Sequence, residues 1–325
     1  LSLVGSEMCI RDRLHNVQNY ENSTTMGRPG MNKKIVNSYL MADGSRFTDK
    51  AGYETMTFDQ ECQNRDPRLA QTIRTPGYTR IGSTKKEAPN LAYTMTGYHL
   101  IKYSMTANYD EYNKSCNDIP LFRTAEVYLN FAEAKAELGT LKQADINKSI
   151  KLLRDRVGMT NLDMELANSK PDPYLMSAAT GYPNVKGANQ GVILEIRRER
   201  TIELAMEGFR YYDIMRWKEG KLFENDLLGI YVPGPGTYDL DKDGTDDVCF
   251  YVGTKPAGNV PLYLEIGEQI RLSNGESGYI ICHSLITKKW NEDRDYLYPV
   301  PISERTLSNG VITQNPGWND GLNFN

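Results

Sequence analysis

The sequence contains few of the residue groupings that common catalytic and metal-binding motifs require. Only three histidines occur in 325 residues, and the five cysteines lie far apart, with neither a CxxC pair nor the His–Cys spacing of a zinc site. The GxSxG, HExxH, GxGxxG and P-loop patterns are missing too. These absences argue against zinc binding, nucleotide binding and the commonest forms of enzymatic hydrolysis.

Long apolar runs and an excess of one charge are also missing. No segment approaches the roughly 18 apolar residues that a bilayer-spanning helix needs. The 38 basic and 42 acidic residues nearly balance, so the chain offers no general attraction to nucleic acid. We therefore expect neither a membrane-spanning helix nor a nucleic-acid partner.

The opening residues, LSLVGSEMCIRDR, do not form a signal peptide, because their apolar part is short and contains Glu7. They resemble the translation of sequencing-adapter read-through. We therefore interpret residues 1–13 as a non-native leader, and we do not expect Cys9 within it to carry a lipid.

Composition divides the rest of the chain into three segments. Residues 14–120 are rich in Gly, Pro, Asn and Thr, which predicts loops with a few short strands and one helix near 31–40. Residues 121–219 show helical periodicity: two helices of about 16 residues, each followed by a glycine, approach the length of a tetratricopeptide hairpin, and helix returns near 190 after a loop at 160–189. The composition of residues 220–325 predicts loops and short strands, which we expect to pack on this scaffold.

The stretch ILEIRRERTIELAMEGFRYYDIMRW, residues 193–217, places four glutamates four residues apart among arginines. A di-metal carboxylate site would need Glu-x-x-His, a glycosidase pair usually comes from separate elements, and a nucleic-acid surface would carry the arginines without the glutamates. Opposite charges three residues apart instead predict a partly buried structural network. Its members are Glu195, Arg198, Glu199, Arg200, Glu203, Glu207 and Arg210. The expected pairs are Glu195/Arg198, Arg200/Glu203, Glu207/Arg210 and Asp213/Arg216.

The stretch YDLDKDGTDDVCFY resembles the first half of a calcium-binding loop. Alternate carboxylates can converge on a hard cation, and the glycine permits the sharp turn. Phe250 occupies the twelfth position, where an EF-hand has glutamate, so we expect a calcium loop of another kind or, equally, a solvated acidic turn. The candidate ligands are Asp239, Asp241, Asp243, Thr245 and Asp247.

Several segments together resemble the SusD/RagB family of surface-exposed, glycan-binding lipoproteins of Bacteroidota outer membranes. DIPLFRTAEVYLNFAEAKAELG, the glutamate stretch above and YLYPVPISERTLSNGVITQNPGW resemble, in order and spacing, the C-terminal part of a member. KKIVNSYLMADGSRF and NRDPRLAQTIRTPGY also match the family's pattern. The expected lipoprotein signal, anchoring cysteine and further helix pairs are missing, so we interpret the chain as an N-terminally truncated member.

The resemblance implies a mainly α, SusD-like fold with tetratricopeptide-like helix pairs and long loop and short-strand inserts. It implies a non-enzymatic protein at the cell surface that delivers oligosaccharides or other nutrients to a SusC-like, TonB-dependent transporter. Two alternatives remain: a protein-interaction scaffold without a small ligand, and a glycan-degrading enzyme with two opposed carboxylates.

Sugar sites combine aromatic faces with polar side chains that bind hydroxyl groups. The irregular segment 76–112, part of the expected ligand-facing region, supplies such residues. The candidates for ligand contact are Tyr78, Arg80, Asn90, Tyr93 and Tyr98.

Overall fold

Short helices dominate the fold, and short strands are concentrated near its C-terminal end. The computed structural model describes residues 14–319 and 321, together with the backbone of residues 7–9; the leader predicted for residues 1–13 otherwise lies outside this part. The helices are α1 Val17–Glu21, α2 Lys33–Ser38, α3 Phe58–Glu61, α4 Pro67–Thr72, α5 Thr124–Glu137, α6 Gln143–Asn147, α7 Ile150–Arg156, α8 Met164–Ser169, α9 Pro173–Met176, α10 Gln190–Glu203, α11 Phe209–Arg216 and α12 Ile302–Leu307. The strands are β1 Glu7–Cys9, β2 Phe122–Arg123, β3 Leu227–Val232, β4 Gly236–Tyr238, β5 Val248–Tyr251, β6 Leu262–Glu265 and β7 Gly278–Cys282.

The helix pair expected after Pro120 is present, but its second arm is broken. Helix α5 ends as predicted before Gly139, whose φ of +68° is the left-handed conformation that favours glycine. The second arm is not one helix of about 16 residues, because Ser149 leaves helical geometry and its hydroxyl donates to the Asp145 carbonyl at 2.8 Å. Two short helices, α6 and α7, therefore replace it, and the expected loop at 160–189 contains α8 and α9.

Helix α10 lies at the centre of the helical scaffold. It packs against α2, α5, α7 and α8, and every residue from Gly191 to Glu203 is buried. Val192, Leu194 and Ile196 are completely inaccessible to solvent, and burial of each such side chain contributes about 1.5–3 kcal/mol. Because the helix is buried on all sides, its arginines and glutamates also leave water and need partners.

Glu199 binds two arginines that come from distant parts of the chain. Arg68 Nη1 donates to its Oε1 at 2.6 Å, and Arg154 Nε donates to its Oε2 at 2.8 Å. Burial alone would raise the pKa of Glu199, but the two guanidinium groups outweigh burial and lower the pKa to about 2. This carboxylate therefore stays charged and joins α4, α7 and α10.

The column of four glutamates does not continue along one helix. Helix α10 ends at Glu203, and Met206 and Gly208 then adopt left-handed φ values of 66° and 83°. Glu207 lies in this turn and accepts from Arg123 Nε at 2.6 Å and Lys102 Nζ at 2.5 Å. The expected pair Glu207/Arg210 is therefore wrong.

Arg200 and Arg210 bind partners other than the expected glutamates. Arg200 does not pair with Glu203; its Nε donates to Asp213 on α11, at 2.7 and 2.8 Å. Arg210 donates instead to the hydroxyl groups of Tyr182 and Thr201, at 2.7 and 3.0 Å. The pairs Glu195/Arg198, at 3.1 Å, and Asp213/Arg216, at 2.9 Å, are present as expected.

Residues 14–120 contain short helices where a few strands were expected. Helix α2 occupies the position predicted near 31–40, but isolated bridges such as Ile73↔Leu100 replace the strands in the described part of this segment. Single-turn 3₁₀ helices cover Phe47–Asp49, Tyr53–Thr55 and Ala107–Tyr109, and a longer one covers Gly220–Glu224. Side-chain hydrogen bonds hold the segment together, such as those from Arg65 to the carbonyls of Val36 and Tyr39, at 2.6 and 2.8 Å.

The C-terminal strands form small sheets that share a core with residues 31–100. Strand β7 pairs antiparallel with β3, while β5 pairs antiparallel with β4 and parallel with β6. Gly97 lies directly against Ile230 of β3, and a Cβ atom there would approach Ile230 to 2.9 Å. This close contact fixes the loop before Tyr98 on the sheet.

Within the described residues no helix is long and apolar enough to cross a membrane.

Removal of one network carboxylate should destabilise the fold. Glu203 accepts from Arg123 Nη1 at 2.7 Å and from Arg156 Nη2 at 2.9 Å, and its side chain is 1% exposed. Arg68 Nη1, which is buried, also donates to Glu203, at 3.0 Å. We expect Glu203→Ala to lower the free energy of unfolding by about 1–3 kcal/mol, because the buried Arg68 and the half-buried Arg123 lose a partner. Urea denaturation measures this change.

Glu111→Ala, at an exposed loop position, is the matched control and should change stability by less than about 0.5 kcal/mol. Equal unfolding midpoints for Glu203→Ala and the unchanged protein would contradict a structural role for the network.

Candidate functional site

A cleft of about 550 Å³ lies between residues 85–93 and the acidic loop 239–247. Both walls are irregular chain held on the core shared by residues 31–100 and the C-terminal strands. The cleft brings together parts of two groups that the sequence suggested separately. Three of the predicted ligand residues line it, and so do three of the predicted calcium ligands: Arg80, Asn90, Tyr93, Asp243, Thr245 and Asp247.

Arg74 and Arg80 form the base of the cleft together with Asn22. The Asn22 side-chain oxygen accepts from Arg74 Nη2 at 2.8 Å and from Arg80 Nη1 at 3.2 Å. Arg80 also donates to the Met105 carbonyl at 2.6 Å and pairs with Asp110. Because these partners occupy the Arg80 guanidinium, it shapes the cleft more than it offers hydrogen bonds to a ligand.

Two of the five predicted ligand residues do not line the cleft. Tyr98 is completely buried, and its hydroxyl donates to Glu61 Oε1 at 2.7 Å inside the core, so its prediction as a ligand contact is wrong. Tyr78 lies outside the cleft with the Arg74 guanidinium over its ring, 5.4 Å from the ring centre. Tyr93 is half-buried and supplies the aromatic side chain of the cleft.

A buried histidine positions the wall that carries Asn90 and Tyr93. The Asn90 backbone N–H donates to His99 Nδ1 at 3.2 Å, so Nε2 carries the hydrogen of the neutral ring and donates to the Glu21 carbonyl at 2.8 Å. Burial, assisted by the positive charge of Arg74, lowers the pKa of His99 to about 3. The ring therefore stays neutral at physiological pH and keeps both hydrogen bonds.

The acidic loop brings three of its carboxylates close together. Oxygen atoms of Asp239, Asp241 and Asp247 lie within 4.8 Å of one another, and Asp241 is buried. Burial and the neighbouring negative charges raise the pKa of Asp247 from 3.8 to about 6. A hard cation would relieve this repulsion, since carboxylate oxygens are the ligands that calcium prefers.

Asp243 and Thr245, the other two predicted ligands, lie outside this group of three. The Asp243 carboxylate accepts from the Thr245 backbone N–H at 2.8 Å, and the Asp243 N–H donates to Asp239 and Asp241 at 3.3 and 3.2 Å. These two residues shape the loop and face the cleft. The spacing of alternate carboxylates correctly placed Asp239, Asp241 and Asp247 together but did not determine where Asp243 points.

The sequence did not indicate several other residues of the cleft. Lys85 and Lys86 are exposed at one edge, and Asn22 and Asp110 reach it from remote positions in the chain. The Lys-Lys dipeptide is visible in the sequence, but no local pattern links Asn22 to arginines more than 50 residues later. Only the folded loops bring these groups together.

Comparison with known proteins finds one matching family and solved structures of similar fold. The SusD family model matches residues 9–318. At a significant level, no curated protein matches the sequence. A SusD-like protein from Bacteroides fragilis, 20% identical, superposes with a TM-score of 0.57 over 96% of this chain and 54% of its own length.

A SusD-like carbohydrate-binding protein from Bacteroides fragilis, 22% identical, superposes with a TM-score of 0.55 over 85% of this chain and 47% of its own. At these identities the likeness shows the fold. The chain spans about half the length of the solved structures that it matches.

Burial and charge repulsion at Asp247 should make the stability of the protein depend on pH. Because the pKa of Asp247 is raised in the folded state, the unfolded chain loses this proton first, and stability falls as pH rises from about 4 to 6. We expect Asp247→Asn to raise the free energy of unfolding by about 0.5–1 kcal/mol at pH 7 in the presence of a chelator. This figure is reduced for solvent screening.

Urea denaturation of both proteins near pH 4 and at pH 7 tests this expectation. The gain should vanish near pH 4, where Asp247 is protonated in the folded protein. A variant that is no more stable than the unchanged protein at pH 7 would contradict repulsion within the loop.

Proposed function

The chain belongs to the SusD family, and from this premise we propose that it binds an oligosaccharide in the cleft between residues 85–93 and the acidic loop. The observation that carries the proposal is the composition of the cleft. It combines a half-buried aromatic ring, Tyr93, with amide, carboxylate and ammonium groups around a cavity of about 550 Å³. Aromatic faces stack on the C–H groups of sugars, and the polar groups can bind their hydroxyls.

We further propose that the whole protein is a surface-exposed lipoprotein of the outer membrane and passes its ligand to a SusC-like, TonB-dependent transporter. Family membership supports this assignment. The cleft lies on loops at the surface, where a ligand can enter and leave without rearrangement of α10 and its buried charges. In this role the protein binds its ligand and does not change it chemically.

Substitution of the aromatic ring should weaken carbohydrate binding. A glycan array identifies a ligand, and calorimetry then compares Tyr93→Ala with the unchanged protein. We expect the loss of the ring to weaken binding by about tenfold, equivalent to roughly 1.4 kcal/mol. Tyr112→Ala is the matched control, because Tyr112 is exposed in the same predicted segment but does not line the cleft.

Equal affinities for Tyr93→Ala and the unchanged protein would show that the ligand binds outside the cleft. The failure of every glycan on the array to bind would favour the alternative function, a helical scaffold whose partner is another protein.

We also propose that Asp239, Asp241 and Asp247 hold a calcium ion at the wall of this cleft. Calcium takes six to eight oxygen ligands, so three carboxylates leave positions for water or other oxygen donors. Binding would offset the burial and the repulsion that together raise the pKa of Asp247. In the folded protein the loop already brings these oxygens within 4.8 Å of one another.

Calcium should stabilise the unchanged protein at pH 7 and so raise its melting temperature. The free energy of unfolding should rise by about 2.7 kcal/mol when the free ion is present at 100 times its dissociation constant. Differential scanning calorimetry, with magnesium as a comparison, measures the shift. Asp247→Asn should abolish it, whereas Asp246→Asn, at an exposed neighbour outside the group, should retain it. An unchanged melting temperature at millimolar calcium would exclude the ion.

A further inference from the structure

A second cavity lies on the helical scaffold, remote from the cleft. It has a volume of about 440 Å³ and opens between the turn at 43–46 and the segment 160–163. Buried side chains of α7 and α10 contribute to its lining, among them Arg154 and Glu195. None of the described residues that line it also lines the cleft.

Two side chains that line this cavity carry buried polar atoms without partners among the described residues. Arg154 is 3% exposed; its Nε and Nη1 donate to Glu199 and to the Thr160 carbonyl, but its Nη2 lacks an acceptor. Asn161 donates to Asn147 at 2.8 Å, but its side-chain oxygen lacks a donor. Because an unsatisfied buried polar atom costs about 1–3 kcal/mol, a ligand that supplied one acceptor and one donor to these two atoms would be stabilised here.

The charge around the cavity favours a cationic donor. The guanidinium groups already have carboxylate partners, since Arg154 pairs with Glu199 and Arg46 lies 3.8 Å from Asp172. Asp43 and Asp163 also line the cavity, and neither forms an ion pair within the described residues. Their carboxylates accept only backbone and hydroxyl hydrogens in that part of the chain, as at Ser45 and Leu166. The charge without an ion-pair partner in the described lining of the cavity is therefore negative.

The apolar part of the lining is aliphatic. Leu40, Leu162 and Ala167 are buried at the cavity, and no aromatic ring of the described residues lines it. An aromatic face for stacking on a sugar is thus missing, whereas a branched aliphatic side chain has apolar surface to contact.

We propose that this cavity binds the N-terminus of a peptide whose first residue is aliphatic. Its ammonium group donates to the Asn161 side-chain oxygen and lies near Asp43 and Asp163, and its first carbonyl oxygen accepts from Arg154 Nη2. This arrangement supplies a partner to both unsatisfied atoms and a cation to the two unpaired carboxylates.

An adjoining groove offers room for the rest of the peptide. It has a volume of about 830 Å³ and shares the segment 160–163 with the cavity. The amide side chains of Gln143, Asn147 and Asn168 line it. The side-chain oxygens of Asn147 and Asn168 already accept hydrogen bonds within the protein, so these two amides offer their N–H groups to the carbonyl groups of an extended peptide.

Matched peptides test the ammonium group directly. Calorimetry or NMR titration of the full chain would compare Leu-Gly-Gly with N-acetyl-Leu-Gly-Gly, in which the amine is uncharged. We expect acetylation to weaken binding by at least about tenfold, because the cavity then faces a neutral amide. Equal binding of the two peptides, or binding of neither at about 10 mM, would overturn the proposal and leave water as the occupant.

Variants test the position of the site. Asn161→Ala should weaken Leu-Gly-Gly binding by about fivefold to tenfold through the lost acceptor, and Asp43→Asn should weaken it while keeping the turn's hydrogen bond to Ser45. Asp155→Asn is the matched control, since Asp155 is an exposed residue of α7 outside the cavity.

Thermal melts verify that each variant folds. If both folded cavity variants bind as the unchanged protein does, or if glucosamine competes with the peptide at equal concentration, the assignment to a peptide N-terminus is wrong.

Discussion

The burial of α10 on all sides is the constraint on which the rest of the structure depends. A helix that carries three arginines and three glutamates between residues 195 and 203 cannot enter a core unless each charge finds a partner there. Glu195 and Arg198 pair with each other, and the other partners come from outside the helix. Arg68 approaches Glu199 from α4, Arg154 approaches it from α7, and Arg123 reaches Glu203 from the start of α5. The helix therefore determines where three separate segments must lie, and the arrangement of those segments follows from charge compensation as much as from apolar packing.

This constraint extends to the irregular first third of the chain. Arg68 joins α4 to α10, and the adjacent bridge between Ile73 and Leu100 carries the loop with Asn90 and Tyr93. The cleft is thus built on a segment with little regular secondary structure, held by the buried His99 and by the contact of Gly97 with β3. Binding loops can vary in sequence while this attachment to the scaffold is kept, because the attachment uses buried atoms that do not line the cleft.

The sequence predicted those features that depend on neighbouring residues. Apolar periodicity located α5 and α10, glycine placed the end of α5, and alternate aspartates indicated a loop in which three carboxylates meet. Partners in the network were harder to predict, because Arg200 reaches Asp213 across a turn that only the left-handed Met206 and Gly208 create. Likewise, Tyr93 and Tyr98 lie in the same irregular segment, and no local periodicity distinguishes the ring at the cleft from the one in the core.

Charge pairing separates the structural part of the molecule from the parts that we propose bind ligands. Each carboxylate of α10 is neutralised within the protein, so a ligand would have to break an existing ion pair to reach it. In contrast, Asp241 and Asp247 repel each other at the cleft, and Arg154 Nη2 and the Asn161 oxygen lack partners among the described residues at the second cavity. A ligand at either place would remove a cost that the folded chain already carries. The glutamates that first suggest chemistry in the sequence are therefore the least available for it, because their interactions are already complete.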